Sequence, residues 1–270
     1  MGCILEKLAA AQLYNYCELN VIIPPQQFAF RRHSSYEMAL LSVTDSWLDA
    51  LDKGSYVGAL PIDLSKAFDT VPHLLLLSGL MNIGCNSDVI AWFRNYLTDR
   101  FQRVITHDEI TQWLPVSRGF PQGSGLSPLL FNIYIRKLPQ KCSSDTFQFA
   151  DDTTLVAADP FLEVVTLILT GSFNATKEFC QSHGLIINPA KTQLIIFKAV
   201  GKRIPDDFHL MLDNCSINPQ TTVKLLGVTL DQHVTFRTQI DNVVSKCHGL
   251  LGTLARATPY LPKQFLKLMY

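Results

Sequence analysis

The sequence predicts an α+β fold, in which helices and strands form layers around a sizeable core. Hydrophobic residues make up 47% of the 270 residues, which supplies enough apolar surface for that core and argues against disorder. Strand-like and helix-like patterns are mixed along the chain without the strict alternation of a doubly wound fold. No apolar run approaches about 18 residues, so we expect no membrane-spanning helix and no membrane partner.

Two helices are predicted before the first strand. Apolar residues recur at helical spacing over residues 4–19. Ser34 and Glu37 have the spacing of a capping box, and the helix that they open is predicted to end at Gly54.

The first strand is predicted over 56–63, a run of β-branched, aromatic and small residues that ends in Asp63. Pro61 lacks an N–H group and is expected to interrupt a ladder hydrogen bond. The other predicted elements are helices over 74–82, 87–98, 127–138 and 161–179, strands over 101–107, 111–117, 194–197 and 223–230, and a helical tail from Val234.

Two adjacent aspartates, Asp151 and Asp152, stand between two short apolar runs. The strand pattern on each side predicts a hairpin whose tip presents negative charge. Asp63 ends another strand-like run, and three carboxylates at strand ends are the hard oxygen ligands that a two-Mg²⁺ phosphoryl-transfer site needs. An acidic pair alone has little specificity, because such pairs are common in solvated turns and this chain has another in Asp206 and Asp207.

Charge and cysteine content bound the class of protein. The net charge of the chain is zero, but the charges are unevenly distributed. Residues 181–270 carry ten Lys or Arg and five Asp or Glu, so residues 1–180 carry an equal excess of acidic residues. The basic part can hold a phosphate backbone, and an ordinary mixed-charge surface explains the asymmetry equally well. Seven scattered cysteines without a C-x₂-C pair argue against zinc and a disulfide framework, and they indicate a reducing intracellular compartment, with the protein in cytoplasm and nucleus.

The order of motifs closely resembles the reverse transcriptase domain of non-LTR (LINE-type) retrotransposons. At least five motifs, spread over most of the chain, follow in the family's order, and they lie at 63–69, 119–125, 147–156, 184–192 and 225–231. The resemblance implies a right-hand polymerase with an antiparallel palm sheet packed on helices. It implies partial fingers at 1–55, a palm with inserted fingers elements at 56–232, and the start of a truncated thumb at 233–270.

The resemblance also implies the chemistry, which is DNA synthesis on an RNA template from a DNA primer and deoxynucleoside triphosphates. Asp63, Asp151 and Asp152 match the acids that hold two Mg²⁺ ions, for which Mn²⁺ is a possible substitute. Lys191 matches a lysine that neutralises or protonates the leaving pyrophosphate, and a solvated surface lysine is the alternative. Phe68 matches an aromatic residue that screens the sugar 2′ position, and a core phenylalanine is the alternative.

Further positions match binding residues of the family. Gln122 and Gly123 match the loop that lies against the incoming nucleotide and template. Arg31 matches an arginine of the fingers that contacts phosphate. Leu226 and Gly227 match a strand turn that holds the primer end. We interpret Asp69 as a structural cap of the following helix.

Departures from the family leave other interpretations open. Ala29 stands where glycine is usual, so a left-handed turn there would cost about 1–2 kcal/mol. The family's first fingers motif is missing and the thumb is short, so we expect a palm-centred fragment of a larger polyprotein. One alternative is a catalytically inactive nucleic-acid-binding remnant of such a domain. Another is an RNA-templated RNA polymerase, against which Phe68 argues because RNA synthesis needs room for the 2′ hydroxyl.

Overall fold

A computed structural model describes residues 2–32, 34–107, 109–121, 123–188, 191–213 and 215–258. The helices are α1 (Gly2–Leu19), α2 (Tyr36–Asp52), α3 (Ala67–Thr70), α4 (His73–Met81), α5 (Ser87–Leu97), α6 (Ser127–Ile135), α7 (Leu162–Ser182) and α8 (Arg237–Ala257), with a 3₁₀ turn at Pro139–Lys141. The strands are β1 (Tyr56–Ile62), β2 (Phe101–Gln102), β3 (Leu114–Pro115), β4 (Asp145–Phe149), β5 (Asp152–Asp159), β6 (Leu194–Phe197), β7 (Leu210–Leu212), β8 (Cys215–Ile217), β9 (Pro219–Gln220), β10 (Thr222–Leu225) and β11 (Val228–Asp231).

The main sheet has five strands in the order β4-β5-β1-β6-β9. All neighbours are antiparallel except β6 and β9, which are parallel. The remaining strands form three two-stranded ribbons, β2-β3, β7-β8 and β10-β11. The mixed α+β class and the antiparallel sheet packed on helices are therefore confirmed.

Both faces of the central strand β1 are buried, because a hydrophobic cluster lies on each side of the sheet. Leu60 contributes to the larger cluster, formed with α1, α4, α5, α6 and α7, whereas Val57 contributes to the cluster around α2. In the second cluster the Trp47 and Phe197 rings lie 4.6 Å apart. At Gly58 a Cβ atom would lie 2.6 Å from Val165 Cγ1, so only glycine lets α7 approach β1 this closely.

Strand pairing continues past Pro61, although the proline itself has no N–H group to donate to the ladder. The pairing of β1 with β5 continues in register from Tyr56 to Ile62, and Pro61 lies opposite Thr154. On the other side, β6 pairs only with residues 57–59, so the ladder with that neighbour has ended before the proline. The missing N–H group is therefore tolerated within a central strand.

The predicted cap of α2 was wrong, and the left-handed turn considered at Ala29 falls one residue later. The residue that caps α2 is Ser35, whose Oγ accepts a hydrogen bond from the Met38 amide at 3.3 Å, and not Ser34. Ala29 does not adopt the left-handed conformation; the positive φ falls on the next residue, Phe30, at 58°. Ala29 is instead buried, with 1% of its surface exposed, so the site demands a small residue rather than a special backbone.

The strand predictions differ in outcome along the chain. The predicted pair over 101–117 contracts to the short ribbon β2-β3, whose residues are solvent-exposed, and β7, β8 and β9 were not predicted. In the part of the chain that the structure describes, no helix combines the length and hydrophobicity needed to cross a bilayer. The division into fingers, palm and thumb stays a prediction.

Candidate active site

The three aspartates lie together at one end of the sheet, where β1 ends and β5 begins. Ile62 of β1 pairs with Thr153 of the antiparallel strand β5. Asp63, which follows Ile62, and Asp152, which precedes Thr153, therefore lie at the same end of these two strands. Asp151 belongs to the two-residue turn between β4 and β5, in which Ala150 has a φ of 58°. The predicted hairpin with an acidic tip is therefore present, and the central strand supplies the third acid.

A segment after α7 carries Lys191 to the same edge. Leu64 forms an antiparallel bridge with Ile187, and the Asn188 amide donates to the Asp63 carbonyl at 2.8 Å. This pairing lays the segment beside the Asp63 backbone. The Lys191 Nζ atom then lies 3.3 Å from both oxygens, Oδ1 and Oδ2, of the Asp63 carboxylate. The lysine is exposed, as the alternative of a surface lysine requires, but it is paired with a predicted metal ligand.

The pKa values of two of the acids, Asp151 and Asp152, are raised. Burial, and then the neighbouring Asp63 charge, raise the pKa of Asp151, while a backbone hydrogen bond opposes the shift. Burial raises the pKa of Asp152, followed by the charges of Asp151 and Asp63, and Lys191 acts in the opposite direction. The site thus concentrates negative charge that a cation can neutralise.

The donor set fits a hard divalent cation, because it consists of carboxylate oxygens whose mutual repulsion such an ion would relieve. Asp63 already faces the positively charged Lys191. Among the described residues, however, no three Asp, Glu, His or Cys side chains form a group tight enough to enclose a metal ion. The acids are close enough to couple electrostatically, but they do not form a closed cage.

Phe68 lies within an aromatic cluster beside the loop that begins at Gly119. Its ring stacks on Phe131 with 4.6 Å between centroids and meets Phe120 edge-on at 6.1 Å. The Phe120 amide also donates to the Phe68 carbonyl at 3.0 Å. Phe68 is partly buried, so it contributes to packing while part of its surface faces solvent.

The loop is fixed to the residues that follow Asp63 by a close backbone contact. Gly119 has a φ of 79°, and a Cβ atom there would lie 2.8 Å from the Asp69 backbone. His73 is buried, and its Nε2 donates to the Gly119 carbonyl at 2.7 Å. The capping role predicted for Asp69 is wrong, because neither α3 nor α4 has a side-chain cap at its N-terminus. Instead, the backbone of Asp69 forms the surface against which the loop packs.

The structure describes four of the five other predicted binding residues. Gln122 lies outside the described residues, and Gly123 has a φ of 79° with open space around its α-carbon. Arg31 forms an ion pair with Glu18, with Nε–Oε1 and Nη2–Oε2 distances of 3.3 Å. Leu226 and Gly227 form the predicted turn, between β10 and β11, with φ values of 47° and 86°. The roles of these residues stay predictions.

One buried residue near the site was missed. Gln27 is 1% exposed, and its side chain bonds to both backbone groups of Ala150 in the acidic turn. Its sequence neighbourhood, Pro24-Pro25-Gln26-Gln27, has no periodic pattern that predicts burial. No local signal distinguishes Gln27 from the exposed Gln26 beside it.

Comparison with known proteins places this geometry in a family. Residues 3–230 match the family described as "Reverse transcriptase (RNA-dependent DNA polymerase)". The "Probable RNA-directed DNA polymerase from transposon BS" of Drosophila melanogaster is 26% identical over 259 residues, which cover 92% of this chain and 28% of the relative. The "RNA-directed DNA polymerase from mobile element jockey" of the same species is 24% identical over 251 residues, which cover 90% of this chain and 27% of the relative.

Solved structures agree on the fold. The apo telomerase of Candida tropicalis, truncated from its C-terminal domain, matches with a TM-score of 0.56 at 13% identity, over 84% of this chain and 44% of the telomerase chain. Its right-hand polymerase fold is thus shared. The present chain spans less than a third of the length of the transposon relatives. Family match, relatives and fold agree, and the chain belongs to the reverse transcriptase family, as a domain of the type carried by non-LTR retrotransposons.

Proposed function

We propose that this chain catalyses DNA synthesis on an RNA template, adding deoxynucleotides to the 3′ hydroxyl of a DNA primer. The observation that carries the proposal is the meeting of Asp63, Asp151, Asp152 and Lys191 at one sheet edge. Membership of the reverse transcriptase family favours this activity over a non-catalytic remnant or an RNA-templated RNA polymerase. Because the chain spans less than a third of its relatives, we further propose that it works within a larger polyprotein.

Asp63 and Asp151 are the proposed main ligands of two Mg²⁺ ions, with Asp152 assisting and Mn²⁺ as a substitute. Two such ions, when bound, supply the positive charge that activates an attacking oxygen and stabilises a leaving oxygen. The raised pKa values of Asp151 and Asp152 support this assignment, because repelling carboxylates favour a cation between them.

Lys191 is the proposed proton donor to the leaving group. In the transfer, the primer 3′ oxygen forms a bond to the α-phosphorus, and the bond from that phosphorus to the bridging oxygen of the β-phosphate breaks. The hydroxyl proton passes to solvent, and the ammonium of Lys191 gives a proton to the pyrophosphate. Its contact with Asp63 holds the ammonium at the edge of the acidic site.

Substrate selection is assigned to the elements around the acids. Phe68 is the proposed screen of the sugar 2′ position, held by its stacking on Phe131. Gly123 offers a backbone without a Cβ atom, which allows close approach of a base or phosphate. The remaining proposed contacts to the nucleotide come from Gln122 and Arg31. The proposed contacts to the primer end come from Leu226 and Gly227.

Primer extension tests the proposal. The purified chain is given an RNA template with an annealed DNA primer, Mg²⁺, and either deoxynucleotides or ribonucleotides. We expect extension with deoxynucleotides only, lost on chelation and restored by added Mg²⁺ or Mn²⁺. Extension with ribonucleotides at an equal rate would favour the RNA polymerase alternative. Template binding without extension, both for this chain and for a longer polypeptide extended at both ends, would favour the remnant.

A further inference from the structure

The turn that holds Asp151 is supported from beside the main sheet by the segment before α2. Gln27 forms a parallel bridge with Gln148 of β4, the strand at the edge of the sheet. The Phe28 amide donates to the Gln148 carbonyl, and the Gln148 amide donates to the Gln26 carbonyl, both at 2.9 Å. This short piece of chain therefore continues the sheet beyond β4, two residues before Ala150.

The side chain of Gln27 reaches from this segment into the turn. Its Nε2 donates to the Ala150 carbonyl at 3.1 Å, and its Oε1 accepts from the Ala150 amide at 2.9 Å. The same Oε1 accepts from the Ala29 amide at 3.1 Å. One side chain thus satisfies both backbone groups of the residue that precedes Asp151, from 123 positions away in the sequence.

Ala150 needs such support because its backbone conformation is unfavourable. Its φ of 58° is costly for a residue with a Cβ atom, and such conformations persist where the surroundings fix them. Ala150 is also buried, at 8% exposure, so water cannot replace lost hydrogen bonds at no cost. A primary amide is suited to the position because it offers one donor and one acceptor side by side.

We propose that Gln27 is a positioning residue, which holds the Ala150-Asp151 turn so that the Asp151 carboxylate is presented to the metal. The role rests on the proposed polymerase function for its catalytic consequence, but the restraint on the turn and its effect on cation binding do not require turnover. Removal of a residue that hydrogen-bonds to a metal ligand and orients it typically lowers metal affinity or activity by about 10–100-fold.

Two substitutions at Gln27 separate the contributions of its amide. Gln27→Met keeps a similar length and removes all three hydrogen bonds. Gln27→Glu keeps the acceptor for the Ala150 and Ala29 amides but loses the donor, and its carboxylate would face the Ala150 carbonyl. Gln26→Met is the matched control, because Gln26 is the adjacent residue of the same type and its side chain is exposed.

Three readouts are compared at equal folded fraction, verified by thermal melting. They are hydrogen exchange of the Ala150 amide, Mn²⁺ affinity of the nucleic-acid-free protein by electron paramagnetic resonance, and single-nucleotide incorporation. For Gln27→Met we expect faster exchange at Ala150, a Mn²⁺ Kd raised about 10–100-fold, and a matching fall in kcat with little change in the KM for deoxynucleotide. Gln27→Glu should lie between Gln27→Met and the parent in exchange, and Gln26→Met should match the parent.

Parent-like exchange at Ala150 and parent-like Mn²⁺ affinity in Gln27→Met would overturn the proposal. If Gln27→Met does not fold, the same two results in Gln27→Glu would overturn it. A parent chain that binds Mn²⁺ but extends no primer would count against the proposed function instead, while exchange and Mn²⁺ affinity would still decide the role of Gln27.

Discussion

The chain contains two pairs of adjacent aspartates that differ in almost every structural respect. Asp151 and Asp152 lie where β4 ends and β5 begins in the main sheet, beside Asp63, and burial and neighbouring charges raise the pKa of both. Asp206 and Asp207 are exposed in a turn closed by the hydrogen bond from the Phe208 amide to the Pro205 carbonyl. The same dipeptide is thus a concentrated charge in one place and a solvated turn in the other.

Two Lys–Asp ion pairs extend the comparison. Lys191 meets Asp63 at 3.3 Å, and Lys177 of α7 meets Asp213, beside the β7-β8 ribbon, at 2.6 Å. The shorter pair is not the one at the candidate site. Exposed ion pairs contribute little to stability, so distance alone does not indicate function. What distinguishes Lys191 is that its charge also acts on a second carboxylate, that of Asp152.

The largest expected effect separates the two aspartate pairs by activity. Asp151→Asn removes one negative charge at nearly constant shape, so polymerase activity should fall by several powers of ten, on the order of 10³-fold or more. Asp206→Asn makes the same chemical change in the exposed pair and should leave activity unchanged. The measurement is primer extension under saturating Mg²⁺. Parent-like activity of Asp151→Asn would remove Asp151 from the site.

The second effect concerns the two lysine pairs. Lys191→Gln should lower the rate of nucleotide incorporation about 10²-fold, the lower end of what a general acid contributes. Lys177→Gln, which breaks the other Lys–Asp pair, should leave the rate unchanged. Equal rates for both variants would identify Lys191 as a surface lysine.

A third prediction tests whether Phe68 belongs to the site or only to the core. Phe68→Val should raise the ratio of ribonucleotide to deoxynucleotide incorporation about tenfold, because it opens space at the 2′ position. Phe131→Leu alters its fully buried stacking partner and serves as the control. Both variants should melt at lower temperature than the parent. If the ratio rises in neither, another residue screens the sugar.

The smallest expected effect is on stability without metal. The folded-state pKa of Asp152 is raised, so the folded chain binds this proton more tightly than the unfolded chain, and its contribution to stability is lost as pH rises through that pKa. Asp152→Asn should therefore melt above the metal-free parent at pH 7. The gain should be small, on the order of 2 °C, because the Asp152 carboxylate is only partly withdrawn from solvent, which screens its charge.

Thermal melts over pH and Mg²⁺ check this prediction. The difference between Asp152→Asn and the parent should shrink as the pH approaches the ordinary Asp value of about 3.9. Mg²⁺ should raise the melting temperature of the parent more than that of the variant. Asp207→Asn is the matched control and should follow the parent in both series. A parent without any Mg²⁺ shift, and a variant that melts no higher, would show that the acids do not act together.

Much of the candidate site could be predicted from local sequence patterns. Apolar runs that end in Asp63 and flank Asp151 and Asp152 have strand periodicity, and an acid that follows a buried strand must lie at its end. The helices were predicted over most of their length for the same reason, whereas the turn at Leu226 and Gly227 was implied by the resemblance to the family. Periodicity and turn chemistry depend on residues that are neighbours in the chain, and the sequence contains that information directly.

Other features depend on which segments meet in space, and only the tertiary structure decided them. The sequence does not indicate that Gln27, and not Gln26, reaches Ala150, because the choice depends on the open edge of β4. Nor does it indicate that Asp69 provides a docking surface for Gly119, or that Ser35 caps α2. Hydrogen bonds between distant segments depend on register and on unpaired backbone groups, and both are settled when the sheet assembles.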